Sequence, residues 1–264
     1  MVKHKRPGDF WYPVSAETAD VPLNDIKGQH VTANDTWDAL NSASSGVVQE
    51  GNVGGGTGMV CNGFKGGTGT SSRKVEVPGG AYTVGVLAQC NYGGSDGLRV
   101  AGIPVAREMK LQRPCVEKQQ EPPVLDFAGD PAPVCAGNAP RTSDGIRAPE
   151  EGSIIVIVAT DAPLTPDQLK RLTQRVPVGL GRVGAIEGTE SGDIFLAFSN
   201  AKIERVQSWK MDAMFRAVVQ ATEESVINAM IAAKTMVGAD WWVVPALPHD
   251  QLQQVLAAHG MLKR

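Results

Sequence analysis

Residues 150–159 read Glu150-Glu151-Gly152-Ser153-Ile154-Ile155-Val156-Ile157-Val158-Ala159, and at this junction a long proline-rich stretch gives way to a core strand. Six consecutive β-branched or small apolar residues, Ile154 to Ala159, are what a strand buried on both faces requires. Ser153 stands at its start, and Gly152 leaves the preceding peptide unhindered. The expectation is that the protein cuts its own Gly152-Ser153 bond and then uses Ser153 as an N-terminal nucleophile. The freed α-amine, with an unperturbed pKa of about 7.7–8.0, would help activate the hydroxyl.

Composition sets the frame for this reading. The chain has 264 residues, 42% hydrophobic and 20% charged, which suits a globular protein of one large or two small domains. A net charge of -3 and a pI near 5.8 show no basic excess, so no nucleic-acid partner is expected. Lys3, His4, Lys5 and Arg6 are not followed by an apolar stretch of signal-peptide length, and no segment approaches a membrane span. The chain as written is expected in the cytoplasm, or in the periplasm if a signal-bearing part precedes it. His4, His30, His249 and His259 are scattered, without an H-E-x-x-H pattern, so neither a metal site nor a Ser-His-Asp triad is expected, and no cofactor. The four cysteines form no C-x-x-C pair. Cys61 and Cys90 read as core residues of apolar strands; Cys115 and Cys135 flank a proline-rich loop and could bridge in an oxidising compartment, but their spacing leaves open whether they pair.

Upstream of the junction, Thr32 caps a short helix through Leu40, whose expected role is packing. Then Gly51 to Arg73 is dense in glycine, and the quartet Gly-Gly-Thr-Gly occurs twice, at 55–58 and 66–69. Unhindered N–H groups can cradle an anion, yet the spacing fits neither G-x-x-x-x-G-K-[ST] nor G-x-G-x-x-G, so nucleotide binding is not expected. Composition leaves two readings open: a hairpin with tight turns, or a hairpin that borders an active site. Lys74–Val77 and Ala81–Cys90 read as strands around a Pro78-Gly79-Gly80 turn. Asn91 ends the second strand, where its amide either caps a turn or points into a site. Residues 99–152, rich in proline from Arg113 on, show no sustained period and are expected to form a linker or flap.

Downstream, Thr165-Pro166-Asp167-Gln168 is a capping box that starts a helix reaching about Arg175. Pro177–Ile186 reads as a glycine-interrupted strand, 188–193 as a polar loop, and Ile194–Phe198 as a buried strand, which together imply a hairpin. Met211, Met214, Phe215, Val218, Val219, Thr222, Val226, Met230 and Ile231 repeat at helical spacing from 211 to about 237. A last helix, Asp250–His259, closes at Gly260. This order indicates an α+β layered sandwich. Ser191 and Asp193 would project from one strand end to the same face, where a hydroxyl backed by a carboxylate can orient a proton. Alone, Ser-Gly-Asp is also a common turn.

Several stretches together carry a family resemblance: LNDIKGQHVT, EGNVGGGTGMVCNGFKGGTGTSSR, VGVLAQCNYG, EGSIIVIVATDAPLTPDQLKRL, SGDIFLAFS and ATEESVINAMIAAKTM. The chain resembles the self-processing aminopeptidases that include the L-aminopeptidase/D-amidase-esterases and the β-peptidyl aminopeptidases. The resemblance implies a four-layer αββα sandwich, cut between Gly152 and Ser153 into parts 1–152 and 153–264 that remain one domain. It implies Ser153 as nucleophile, Asn91 as oxyanion donor, and Ser191 with Asp193 as the polar pair beside the nucleophile. The glycine-rich hairpin then becomes part of the site's surround. Short peptides, amino-acid amides or esters are the implied substrates, and a closed homo-oligomer the implied assembly. Family precursors are longer at the amino end, so the sandwich is expected to be incomplete there. Two alternatives remain: an inactive truncated member or fragment, and acyl transfer to an amino acceptor as in the similarly folded ornithine acetyltransferases. The latter use threonine as nucleophile, against Ser153.

Overall fold

The computed structural model describes residues 14–21, 23–77, 80–126, 130–137, 151–202 and 210–262. Helix α1 is Ala33–Asn41, and strands β1 (Val60–Cys61), β2 (Phe64–Lys65), β3 (Gly67–Val77), β4 (Gly80–Tyr92), β5 (Cys115–Val116) and β6 (Glu151–Thr160) follow. Next come α2 (Pro166–Thr173), α3 (Val176–Arg182), β7 (Glu190–Ser191), β8 (Ile194–Ser199) and α4 (Asp212–Ala232). Strands β9 (Met236–Val237) and β10 (Trp242–Val244) precede the last helix, α5 (His249–Ala258). The class is α+β, as the order of elements predicts.

The junction strand β6 is central. It pairs antiparallel with β4 from Val84↔Thr160 to Tyr92↔Gly152 and parallel with β7 and β8 on its other side. With β3 beyond β4, this gives a five-stranded sheet. Side chains alternate across it, so Val84, Val86, Ala88 and Cys90 of β4 share one face with Ile154, Val156 and Val158 of β6, and all are buried. Helix α4 covers that face with Met214, Phe215, Val218, Ala221, Val226 and Ala229 in one core cluster. Each such buried Val, Ile or Phe contributes about 1.5–3 kcal/mol. The helix comes so close to β3 that a Cβ on Gly69 would stand 1.9 Å from the Ser225 carbonyl oxygen. The opposite face of the sheet carries Gln89, Asn91 and Ser153 at one end and the exposed Leu196 and Phe198 at its edge.

Several expectations need correction. Residues 177–186 do not form a strand: Val176–Arg182 is helical, with Pro177 in its first turn, where a missing N–H is harmless. Gly179 serves helix packing, since a Cβ there would lie 2.7 Å from the Thr222 side chain. There is accordingly no hairpin before β8; the α2–α3 pair makes the crossover that parallel pairing of β6 and β8 needs. Strand β8 is only half-buried. Helix α1 has its Thr32 capping bonds, yet buries no residue, so the packing role expected of it is not seen. Helix α4 ends at Ala232 and not near 237.

Part of the expected linker belongs to the core. Val100, Ile103, Val105, Ala106, Met109 and Leu111 are buried in the main cluster, together with Leu98 just before them. Apolar residues at irregular spacing, held by 3-10 turns, show no period to read. Cys115 and Val116 then join a small sheet ordered β5-β10-β9, and Cys115 is bonded to Cys135. Cys61 and Cys90 are buried as expected but are also bonded to each other, joining β1 to β4. Pro78 and Gly79 of the expected turn, and 127–129 and 138–150 of the proline-rich stretch, lie outside the described residues. No helix of the described residues is long and apolar enough to cross a membrane.

Candidate active site

Ser153 is the third residue of β6, and its partner across the ladder is Asn91 of β4. The residue before it, Gly152, has φ +100°. A Cβ at that position would lie 2.2 Å from the Asn91 carbonyl oxygen, so only glycine fits between the two strands.

On the other side of β6 the sheet ladder is altered. Gly152↔Ser191 and Ile155↔Ile194 are regular parallel pairs. Between them two side chains take over the bonding. The Gly192 N–H donates to Ser153 Oγ at 3.1 Å, and the Ile154 N–H donates to Asp193 Oδ1 at 3.0 Å. Gly192 is needed for this, because a Cβ would stand 2.8 Å from Ser153 Oγ. The structure thus brings Ser153, Asn91, Ser191 and Asp193 to one place. Ser191 enters through its backbone pairing with Gly152, and Asp193 through its bond to the Ile154 N–H beside Ser153.

The Asn91 amide is held at both ends. Its Oδ1 accepts the Val60 N–H at 2.8 Å, and one Nδ2 proton goes to the Ala19 carbonyl oxygen at 2.8 Å. A primary amide has two N–H donors, so the second Nδ2 proton of Asn91 is left over from this pair of bonds. Next to it, Gln89 Nε2 donates to Thr18 Oγ1 at 2.6 Å, which fixes the segment 18–19 over this end of β4. Val60 and Ala19 act through backbone groups, and no side-chain signal announces them. Gly192 was legible only as the middle of Ser-Gly-Asp.

Near the site, the exposed Glu187 has its carboxyl pushed above the usual range, first by desolvation and then by the negative charge of Asp193. The described histidines stand elsewhere: His259 is with Glu108, His30 faces Asp25, and His249 opens α5. Among the described residues no imidazole is hydrogen-bonded to Ser153.

The family model of peptidase family S58 matches residues 2–243 of the chain. The chain belongs to this family. It is 44% identical over 272 residues to the β-peptidyl aminopeptidase BapA of Sphingosinicella microcystinivorans, an alignment that covers 98% of this chain and 64% of that protein. Among solved structures it is similar to the L-aminopeptidase D-Ala-esterase/amidase of Ochrobactrum anthropi, with a TM-score of 0.79 and 41% identity. That match covers 97% of this chain and 66% of the other. A β-aminopeptidase of Burkholderia sp. matches with a TM-score of 0.72 and 37% identity, over 94% of this chain and 64% of the other. The chain thus spans just under two thirds of the length of these relatives. Its fold is the variant of the N-terminal-nucleophile hydrolase fold described for the Ochrobactrum enzyme.

Proposed function

We propose that the chain is a serine-type aminopeptidase and amidase-esterase that first cuts its own Gly152-Ser153 bond. Ser153 Oγ attacks the Gly152 carbonyl carbon, the amide becomes an ester, and water hydrolyses it, leaving Ser153 with a free amine. The pairing of β4 with β6 from Val84↔Thr160 to Tyr92↔Gly152 supports a product that stays together, because the two pieces would remain joined along a whole ladder.

In turnover, Ser153 Oγ attacks the carbonyl of a short peptide, amino-acid amide or ester, and its proton passes to the Ser153 α-amine. The free Nδ2 proton of Asn91 then stabilises the oxyanion, in a position set before the reaction begins. The α-amine protonates the leaving group, and water releases the acyl group by the reverse sequence. Gly192 N–H orients Oγ in the resting state, and Asp193 anchors Ile154 so that Ser153 cannot slip along the ladder. No step calls on a metal or cofactor, and the aminopeptidase and esterase/amidase activities of the family relatives are of this hydrolytic class. The observation that carries the reading is the register of Asn91 with Ser153, completed by the Gly192 N–H on Oγ.

The test is hydrolysis of an amino-acid p-nitroanilide by the wild type and by Ser153→Ala. Turnover in the wild type and none in the variant is expected. Equal rates in both, or none in either, would refute the assignment.

A further inference from the structure

Lys65 is the most unusual side chain outside the reacting groups. It lies in β2 with no exposed surface, and among the described residues no carboxylate pairs with it. Its Nζ donates instead to three backbone carbonyls, those of Gly66 at 2.8 Å, Met59 at 2.9 Å and Gly56 at 3.1 Å. An ammonium has three N–H donors and no acceptor, so its bonding capacity is filled by one glycine-rich loop. A buried charge without a counter-ion is costly, and a methionine of similar length would fill the same space. What methionine cannot do is draw three carbonyls from separate turns onto one atom.

Those three carbonyls bracket β1. Gly56 and Met59 precede Val60, and Gly66 follows the tight Asn62-Gly63 turn that joins β1 to β2. Val60 is the residue whose N–H holds Asn91 Oδ1. The Cys61–Cys90 bond joins the neighbours of Val60 and Asn91, while Lys65 adds a common tie to Gly56, Met59 and Gly66, which the backbone links only in sequence, Gly66 N–H to Met59 O at 2.8 Å and Met59 N–H to Gly56 O at 3.4 Å. We infer that Lys65 is a positioning residue, whose ammonium locks residues 56–66 so that the Val60 N–H aims the Asn91 amide at the oxyanion. The role rests on the hydrolytic reading of the Ser153 site. Arginine is not an equivalent, because a planar guanidinium fork cannot converge on three carbonyls in this geometry.

The test compares Lys65→Met with the wild type in two ways. For a p-nitroanilide substrate, kcat is expected to fall about 10–100-fold with KM changed less than about twofold, because only the transition state uses the aimed amide. In an Asn91→Ala background the same substitution should cost less than about twofold, since the two residues act in series. Costs that simply multiply would overturn the inference. The second readout needs no turnover: the side-chain amide protons of Asn91, assigned by their loss in Asn91→Ala, should exchange with solvent at least about tenfold faster in Lys65→Met. Unchanged exchange in a folded variant would refute the role of Lys65, whereas absence of turnover in the wild type would refute only the hydrolytic reading. If Lys65→Met does not fold, Lys65→Gln, which retains two donors, makes the same comparison. If neither folds, Lys65 serves the fold as a whole and the specific role is wrong.

Discussion

Gly152→Ala is the perturbation that most directly probes how the junction is built. At φ +100° an alanine is strained, at a cost on the order of 1–3 kcal/mol. Its Cβ would also meet the Asn91 carbonyl oxygen at 2.2 Å, and overpacking against a fixed backbone atom costs about 1–3 kcal/mol more. The two add because one is torsional and the other a contact with the next strand. The expected loss is roughly 2–6 kcal/mol, which lowers Tm by roughly 5–20 °C in a chain of this size. Relief requires β4 and β6 to part at Asn91 and Ser153, and a displacement of about 1 Å there should slow self-cleavage about 10²-fold. Thermal melts followed by circular dichroism, with an intact-mass time course on the same preparations, measure both quantities. A variant that melts within about 1 °C of the wild type and is cut as fast would refute this description of the junction.

Further expectations concern the groups around it. Asn91→Ala should lose about 10²–10³-fold in kcat, the usual cost of one oxyanion donor, and self-cleavage followed by mass should slow with it. Burial holds the Lys65 ammonium down to about 8 in the folded chain, against 10.5 when unfolded. The unfolded state therefore binds more protons between these values, so Lys65 should add stability as pH rises from 8 toward 10.5, by at most about 3 kcal/mol. Its three carbonyl acceptors favour the charged form and reduce that figure. Urea titrations at pH 7.5 and 9.5, with Lys65→Met as the flat reference, check the sign. Asp193→Asn removes the charge that helps raise the Glu187 carboxyl, so the Glu187 titration followed by NMR should move to lower pH; an unmoved midpoint would contradict the proximity of the two acids.

Strand β6 and the helices α2, α4 and α5 were legible because each carries a signal that a single window contains: an unbroken β-branched run, a capping box, a 3.6 period, a closing glycine. Residues 177–186 were misread because their valines, glycines and proline look like an interrupted strand. The decisive facts, Pro177 in a first turn and Gly179 against Thr222, belong to helix packing. The buried run from Leu98 to Leu111 had no period because 3-10 turns, and not a strand or helix, place it in the core. Within the site, Ser153 stands out at the head of the β6 run, whereas Asn91, Ser191 and Asp193 need the family's motifs, because composition alone leaves Asn91 open between a turn and a site and reads Ser-Gly-Asp as a common turn. The Ala19 carbonyl, the Val60 N–H and the Gly192 N–H are backbone groups, which any residue supplies. Lys65 was invisible for the opposite reason, since a single lysine in a sequence reads as a surface residue until its burial is seen.

The central claim is a chain cut at Gly152-Ser153 with Ser153 as the new amino terminus. Intact-mass measurement of the purified protein, with amino-terminal sequencing of each species, tests it most directly. The account predicts two fragments, one ending at Gly152 and one beginning Ser153-Ile154-Ile155, and a single uncut chain for Ser153→Ala. A wild-type protein that remains one uncut chain, or is cut at another bond, would contradict it.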